Sequence, residues 1–206
     1  MKSYRDILNS KKLNSTIGIL LAFAWGFFSY VHILGFQQTG DWSYLLFCAT
    51  ETLVAFFFLI RTKPNTISTD LIDWSLAICA TFAPFLFSPA GWGILPQAKL
   101  ILIVGSTIQI AGILSLNRSF GLVAANREIK TAGMYRFIRH PLYASYLLSF
   151  TGYVLANSSF SNLMVYTITM ILLFFRLLRE EKHLSLDQKY LDYMKQVRYR
   201  VIPLVF

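Results

Sequence analysis

Apolar positions along the chain gather into six long runs, at about residues 16–36, 43–60, 74–95, 98–116, 142–157 and 161–178. A bilayer core of about 30 Å needs roughly 20 helical residues. The first four runs meet that length. The last two are shorter, and only the turn Asn157 to Phe160 separates them, so they read as a helical hairpin. The third run contains Pro84, Pro89 and the segment Pro89–Gly93, which predicts a kinked or looped outer end. The expected fold is therefore all-α, a polytopic membrane helix bundle of about six spans.

Composition strengthens that reading. The 206 residues are 55% hydrophobic and 14% charged, with 18 Phe, whereas soluble domains carry about a quarter charged residues. Lipid is the expected solvent for much of the surface. The first run is too long for the apolar region of a secretory signal and lacks a small-residue cleavage pattern, so it reads as a span. Cys48 and Cys79 both fall inside apolar runs, where the expected role is that of a small buried hydrophobe. Neither a disulfide framework nor a metal site is expected.

Charge then sets the orientation. Lys2, Arg5, Lys11 and Lys12 precede the first run, and Arg61 and Lys63 follow the second. Arg118, Arg127, Lys130, Arg136 and Arg139 lie between the fourth and fifth. Arg176, Arg179, Lys182, Lys189, Lys195, Arg198 and Arg200 close the chain. Six spans place all of these on one side, leaving only Lys99 across the membrane. By the positive-inside rule both termini are cytoplasmic.

Two of these basic regions hold more than topogenic charge. The stretch Gly133 to Tyr143 (GMYRFIRHPLY) leads into the fifth run, and Arg176 to Leu184 (RLLREEKHL) leads out of the sixth. A hairpin puts both at one membrane face, about one helix diameter apart. Pro141 suits the first position of a helix, which places His140 at or beside the N-cap. The amides of Leu142 and Tyr143, with the helix dipole, would favour an anion, and Arg139 adds a planar cationic fork. Glu180 and Glu181 point about 100° apart on a helix. One can accept hydrogen bonds from a ribose or an adenine amine while the other pairs with Arg176.

These residues resemble a known family. Gly133, Tyr135, Arg139, His140, Pro141 and Tyr143, then Arg176, Glu180, Glu181 and Leu184, then Tyr190, Tyr193, Val197, Ile202 and Pro203 follow the pattern of the isoprenylcysteine carboxyl methyltransferase and phospholipid methyltransferase superfamily. The resemblance covers residues 115–206, expected as the cofactor-binding and catalytic region, with 1–114 as N-terminal transmembrane helices. It implies an S-adenosylmethionine-dependent membrane methyltransferase whose C-terminal tail folds over the cofactor. Tyr135, His140, Tyr143, Glu180 and Glu181 would bind that cofactor. Arg139 and Arg176 would orient an acidic substrate, and Glu180 or Glu181 would serve as base for an amine acceptor. The segment Arg198-Tyr199-Arg200 departs from the pattern, since eukaryotic members often place a proline first.

The acceptor implied is lipophilic or lipid-linked, such as the carboxylate of a prenylated cysteine-like group, with membrane lipids as the other partner. Neither metal nor nucleic acid is expected. Two other functions compete: an NADPH-dependent sterol or enone reductase, whose members carry a related Arg-His-Pro-x-Tyr segment, and a non-enzymatic transporter or scaffold. Within the spans, Glu51 either lines the acceptor cavity or makes a protonated hydrogen bond between helices. His32 reads as structural.

Overall fold

The computed structural model describes residues 11–60, 62, 66–121, 123 and 125–206. Lys2, Arg5, Arg61 and Lys63, counted above for orientation, lie outside the described residues. Most of the described residues are helical. The helices are α1 (Lys11–Thr39), α2 (Trp42–Ile60), α3 (Leu71–Phe82), α4 (Lys99–Leu116), α5 (Pro141–Ala156), α6 (Phe160–Leu184) and α7 (Gln188–Gln196). Two short strands, β1 (Thr66–Ile67) and β2 (Ala125–Asn126), pair antiparallel and tie the loop after α2 to the loop after α4.

Local chemistry explains the boundaries. Asp70 caps α3 by accepting from the Ile72 amide at 2.9 Å. At the other end Pro84 cannot donate to the ladder. The chain tightens into a 3₁₀ turn over Ala83–Leu86 and leaves it extended at Phe87. The third apolar run is thus a 12-residue helix followed by a loop. α5 begins at Pro141, with His140 as its N-cap.

Among the described residues, two helical stretches, Pro96–Ser119 and Phe160–Leu184, are long and apolar enough to cross a membrane. Shorter apolar helices cover Trp42–Phe57 and Leu71–Leu86. α6 exposes Phe160, Ile171, Phe174 and Phe175, the outward apolar surface that lipid contact favours.

Helices α5 and α6 follow one another through the tight turn, but each packs chiefly on another partner: α5 on α4, and α6 on α3. Small residues allow the first of these contacts. A Cβ added at Gly152 would stand 2.4 Å from the Leu102 nitrogen, and one at Gly105 would stand 2.5 Å from the Ser149 nitrogen. Such close backbone approach is how membrane helices gain packing where hydrophobic burial does not drive association. An aromatic core fills the space beside them. Phe47 and Tyr153 lie 5.0 Å apart between ring centroids, and Phe87 and Phe150 lie 5.4 Å apart.

The end of α5 away from its N-cap is closed by neutral hydrogen bonds. His32 shares one with the Tyr153 hydroxyl at 2.7 Å and another with the Phe28 carbonyl at 2.8 Å. Tyr44 donates to Asn157 at 2.6 Å, and Asn162 donates to the carbonyls of Ser88 and Asn157. Cys48 is buried, as its setting suggested. Cys79 corrects that expectation, for it lies on an exposed face of α3.

Candidate active site

The site is assembled where the N-terminus of α5, the C-terminal turns of α6 and the folded-back tail meet. The tail lies alongside the residues before α5: the Arg139 amide donates to the Tyr199 carbonyl at 2.9 Å and the His140 amide to the Arg200 carbonyl at 2.8 Å. The first turn of α5 is thereby held against the chain's last segment.

Side chains reinforce this backbone contact. Arg139 donates from Nε to Glu181 at 2.8 Å, and from one terminal nitrogen to the carbonyls of Val197 and Arg198 at 2.8 and 2.7 Å. Arg200 binds the other Glu181 oxygen at 2.6 Å. His140 Nε2 lies 3.2 Å from Glu181 and 3.4 Å from the Tyr190 hydroxyl. The Arg139 and Glu181 side chains are about 95% buried, and each finds several partners, as buried charges require.

Glu180 points elsewhere. Its carboxylate accepts from the Tyr143 hydroxyl at 2.7 Å and faces a cavity of about 100 Å³, lined also by Gly121, Arg127, Tyr135, His140, Arg176 and Tyr190. Arg176 reaches the Gly121 carbonyl at 3.4 Å. The pair Glu180 and Glu181 is split as helical geometry demands, one carboxylate to the tail and one to the cavity.

Helix α7 roofs the cavity. Asp187 caps it through the Lys189 amide and is bound by Asn126 of β2 at 2.5 Å. Tyr190 and Tyr193, one turn apart, point inward, and Tyr193 donates to the Tyr135 carbonyl at 2.6 Å. Burial pushes the phenols of Tyr135, Tyr190 and Tyr193 above their ordinary value, so near neutral pH they are uncharged.

A second, apolar cavity of about 380 Å³ is walled by Trp25, Val54, Phe56, Phe85, Phe150 and Leu173. Phe120, Tyr146 and Arg176 line both cavities. Residues 94–190 match the phospholipid methyltransferase family. The matched segment, just under half of the chain, holds Tyr135, Arg139, His140, Tyr143, Arg176, Glu180 and Glu181. The match begins at Ile94, in the loop before α4, and ends at Tyr190 in α7, so residues 1–93 and 191–206 lie outside it. No curated protein matches the chain significantly. This is a family of membrane methyltransferases, and its name points to lipid substrates.

The structure brings Tyr135, Arg139, His140, Tyr143, Arg176, Glu180 and Glu181 to one end of the bundle. It divides them: Tyr135, His140, Tyr143, Arg176 and Glu180 border the cavity together with Arg139, whereas Glu181 is directed at the tail. Sequence reasoning missed Tyr146, hidden as one more aromatic in an apolar run, and Asn126, whose role depends on a strand of two residues. Arg200, noted for its charge and as part of a departure from the pattern, closes the Glu181 pairing.

Proposed function

We propose that this protein transfers the methyl group of S-adenosylmethionine to a lipophilic or lipid-linked acceptor at the cytoplasmic face of a membrane. Six spans with both termini cytoplasmic accord with the distribution of Lys and Arg. The observation that carries the reading is the meeting of two unlike cavities at Phe120, Tyr146 and Arg176. One offers a carboxylate, an imidazole and tyrosine hydroxyls; the other is almost entirely apolar. A polar donor and a lipid acceptor need such a junction.

The residues fit the cofactor. Glu180 is placed to accept hydrogen bonds from ribose hydroxyls or an adenine amine. Tyr135, His140 and Tyr143 border the same space, beside the positive end of the α5 dipole, which favours a carboxylate. At about 100 Å³ the cavity is smaller than typical ligand sites of about 300–1,000 Å³. Binding therefore requires the roof formed by α7 and the tail to move outward. The Glu181 pairings with Arg139 and Arg200 hold that roof, which makes Glu181 and Arg139 positioning residues for the cofactor site.

When bound, S-adenosylmethionine supplies an electrophilic methyl on a sulfonium. The protein's own share is alignment and exclusion of water, which contribute up to about 7–11 kcal/mol in favourable cases. Arg176, at the junction, would orient an acidic part of the acceptor. Glu180 would take the proton if the acceptor were an amine. The test is incubation of purified protein with methyl-labelled S-adenosylmethionine and a membrane lipid extract. Label recovered in the organic phase, and lost with Glu180→Gln, is the expected result. Lipid that stays unlabelled across acceptors of every head-group class would refute the reading.

A further inference from the structure

Glu51 lies in the middle of α2, in the half of the chain outside the family match, and is 6% exposed. It lines the apolar cavity. Its Oε1 accepts from Gln109 Nε2 of α4 at 3.2 Å, and no other hydrogen bond or ion pair reaches the carboxylate among the described residues. The Gln109 carbonyl oxygen is itself buried without a partner. The neighbouring polar groups are already committed: Trp25 donates to Thr52, and Thr52 donates to the Cys48 carbonyl.

A carboxylate facing an apolar space inside a helix bundle is costly unless a donor or a cation meets it. Packing alone would favour an apolar residue here, and a purely structural hydrogen bond would satisfy both partners. The bond to Gln109 joins α2 to α4, but it meets only one carboxylate oxygen and leaves the other without a partner among the described residues. The aromatic faces of Trp25, Phe85, Phe120 and Tyr146 around the same cavity suit a cation as well as a hydrocarbon. Arg176 lies in the wall of this cavity as well, so an occupant with a cationic part near Glu51 and an anionic part near Arg176 would be complemented at both places.

We infer that Glu51 is an acceptor-selecting residue that binds the N–H groups of a lipid amine inside the apolar cavity. This deepens the methyl-transfer reading and rests on it for the meaning of "acceptor", although the amine site itself is a matter of binding alone. An acceptor carrying only a carboxylate would meet Glu51 as a like charge.

The test is calorimetric titration of the full chain in detergent with two probes of equal tail, dodecylamine and dodecanoate, beside S-adenosylmethionine. The wild type should bind dodecylamine about tenfold more tightly than dodecanoate, a difference of ~1.4 kcal/mol. Glu51→Gln should abolish the preference and leave S-adenosylmethionine affinity unchanged, which also reports an intact fold. Glu51→Asp should retain the preference. Equal dodecylamine affinity in the wild type and Glu51→Gln would overturn the inference. So would a wild type that prefers dodecanoate, whatever the variants do. Amine selectivity that follows Glu51 in a protein that binds no S-adenosylmethionine would support the site and sink the methyl-transfer reading instead.

Discussion

The two ends of helix α5 are fastened by different chemistry. At its N-terminal end, a buried Arg139–Glu181 pair is joined by the partly exposed Arg200 beside a polar cavity. At its C-terminal end, His32, Tyr44, Tyr153, Asn157 and Asn162 form a neutral network against a packed aromatic core. Neutral groups that satisfy one another are stable without further partners and close that end. An ionic cluster is different. Arg139 and Glu181 were taken out of water at a penalty that only their partners offset, so loss of one leaves the other uncompensated. The comparison separates an end held by neutral groups that satisfy one another from an end held by charges that depend on one another.

The sharpest way to break that contrast is Glu181→Ala. It strands the Arg139 guanidinium in a buried setting and removes the Arg200 contact, at about 3–5 kcal/mol. Thermal unfolding in detergent should fall accordingly, and trypsin should cut faster at Arg198 and Arg200. An unchanged unfolding temperature would mean that the carboxylate does not hold the tail.

At the other end, Tyr153→Phe removes the hydroxyl that His32 uses. One unsatisfied buried nitrogen costs about 1–3 kcal/mol, so stability should drop while S-adenosylmethionine affinity stays as in the wild type. A loss of cofactor affinity in this variant would deny that the two ends are independent.

Glu180→Gln sharpens the contrast within the site. Its carboxylate faces the cavity and not the tail, so stability should change by less than about 0.5 kcal/mol. Cofactor affinity should weaken about tenfold. The smallest effect belongs to Cys79→Ala on the exposed face of α3, expected within about 0.5 kcal/mol by the same unfolding measurement.

The sequence and the fold agree best where chemistry is local. Pro141 places His140 at the N-cap because proline's fixed φ suits only the first helical turn. The prolines after Phe82 end α3 for the same kind of reason. Adjacent glutamates diverge on a helix by geometry alone, but which one faces the tail depends on how α6 is rotated against α3, and no local pattern carries that rotation. Long-range pairings were equally hidden. Arg179 binds Asp70 and Asp73, more than 100 residues away, whereas from the sequence it counted only as a charge that sets orientation. The expected hairpin of α5 and α6 shows the same limit. A tight turn fixes their succession, while Gly105 and Gly152 decide that α5 lies on α4.

The central claim is that the cavity between α5, α6 and the tail holds S-adenosylmethionine, and its most direct test is calorimetric titration of the purified protein with that cofactor, NADPH serving as the parallel ligand. The account predicts saturable S-adenosylmethionine binding that weakens in Glu180→Gln, with no heat from NADPH. Binding of NADPH in its place, or S-adenosylmethionine binding indifferent to Glu180, would contradict it.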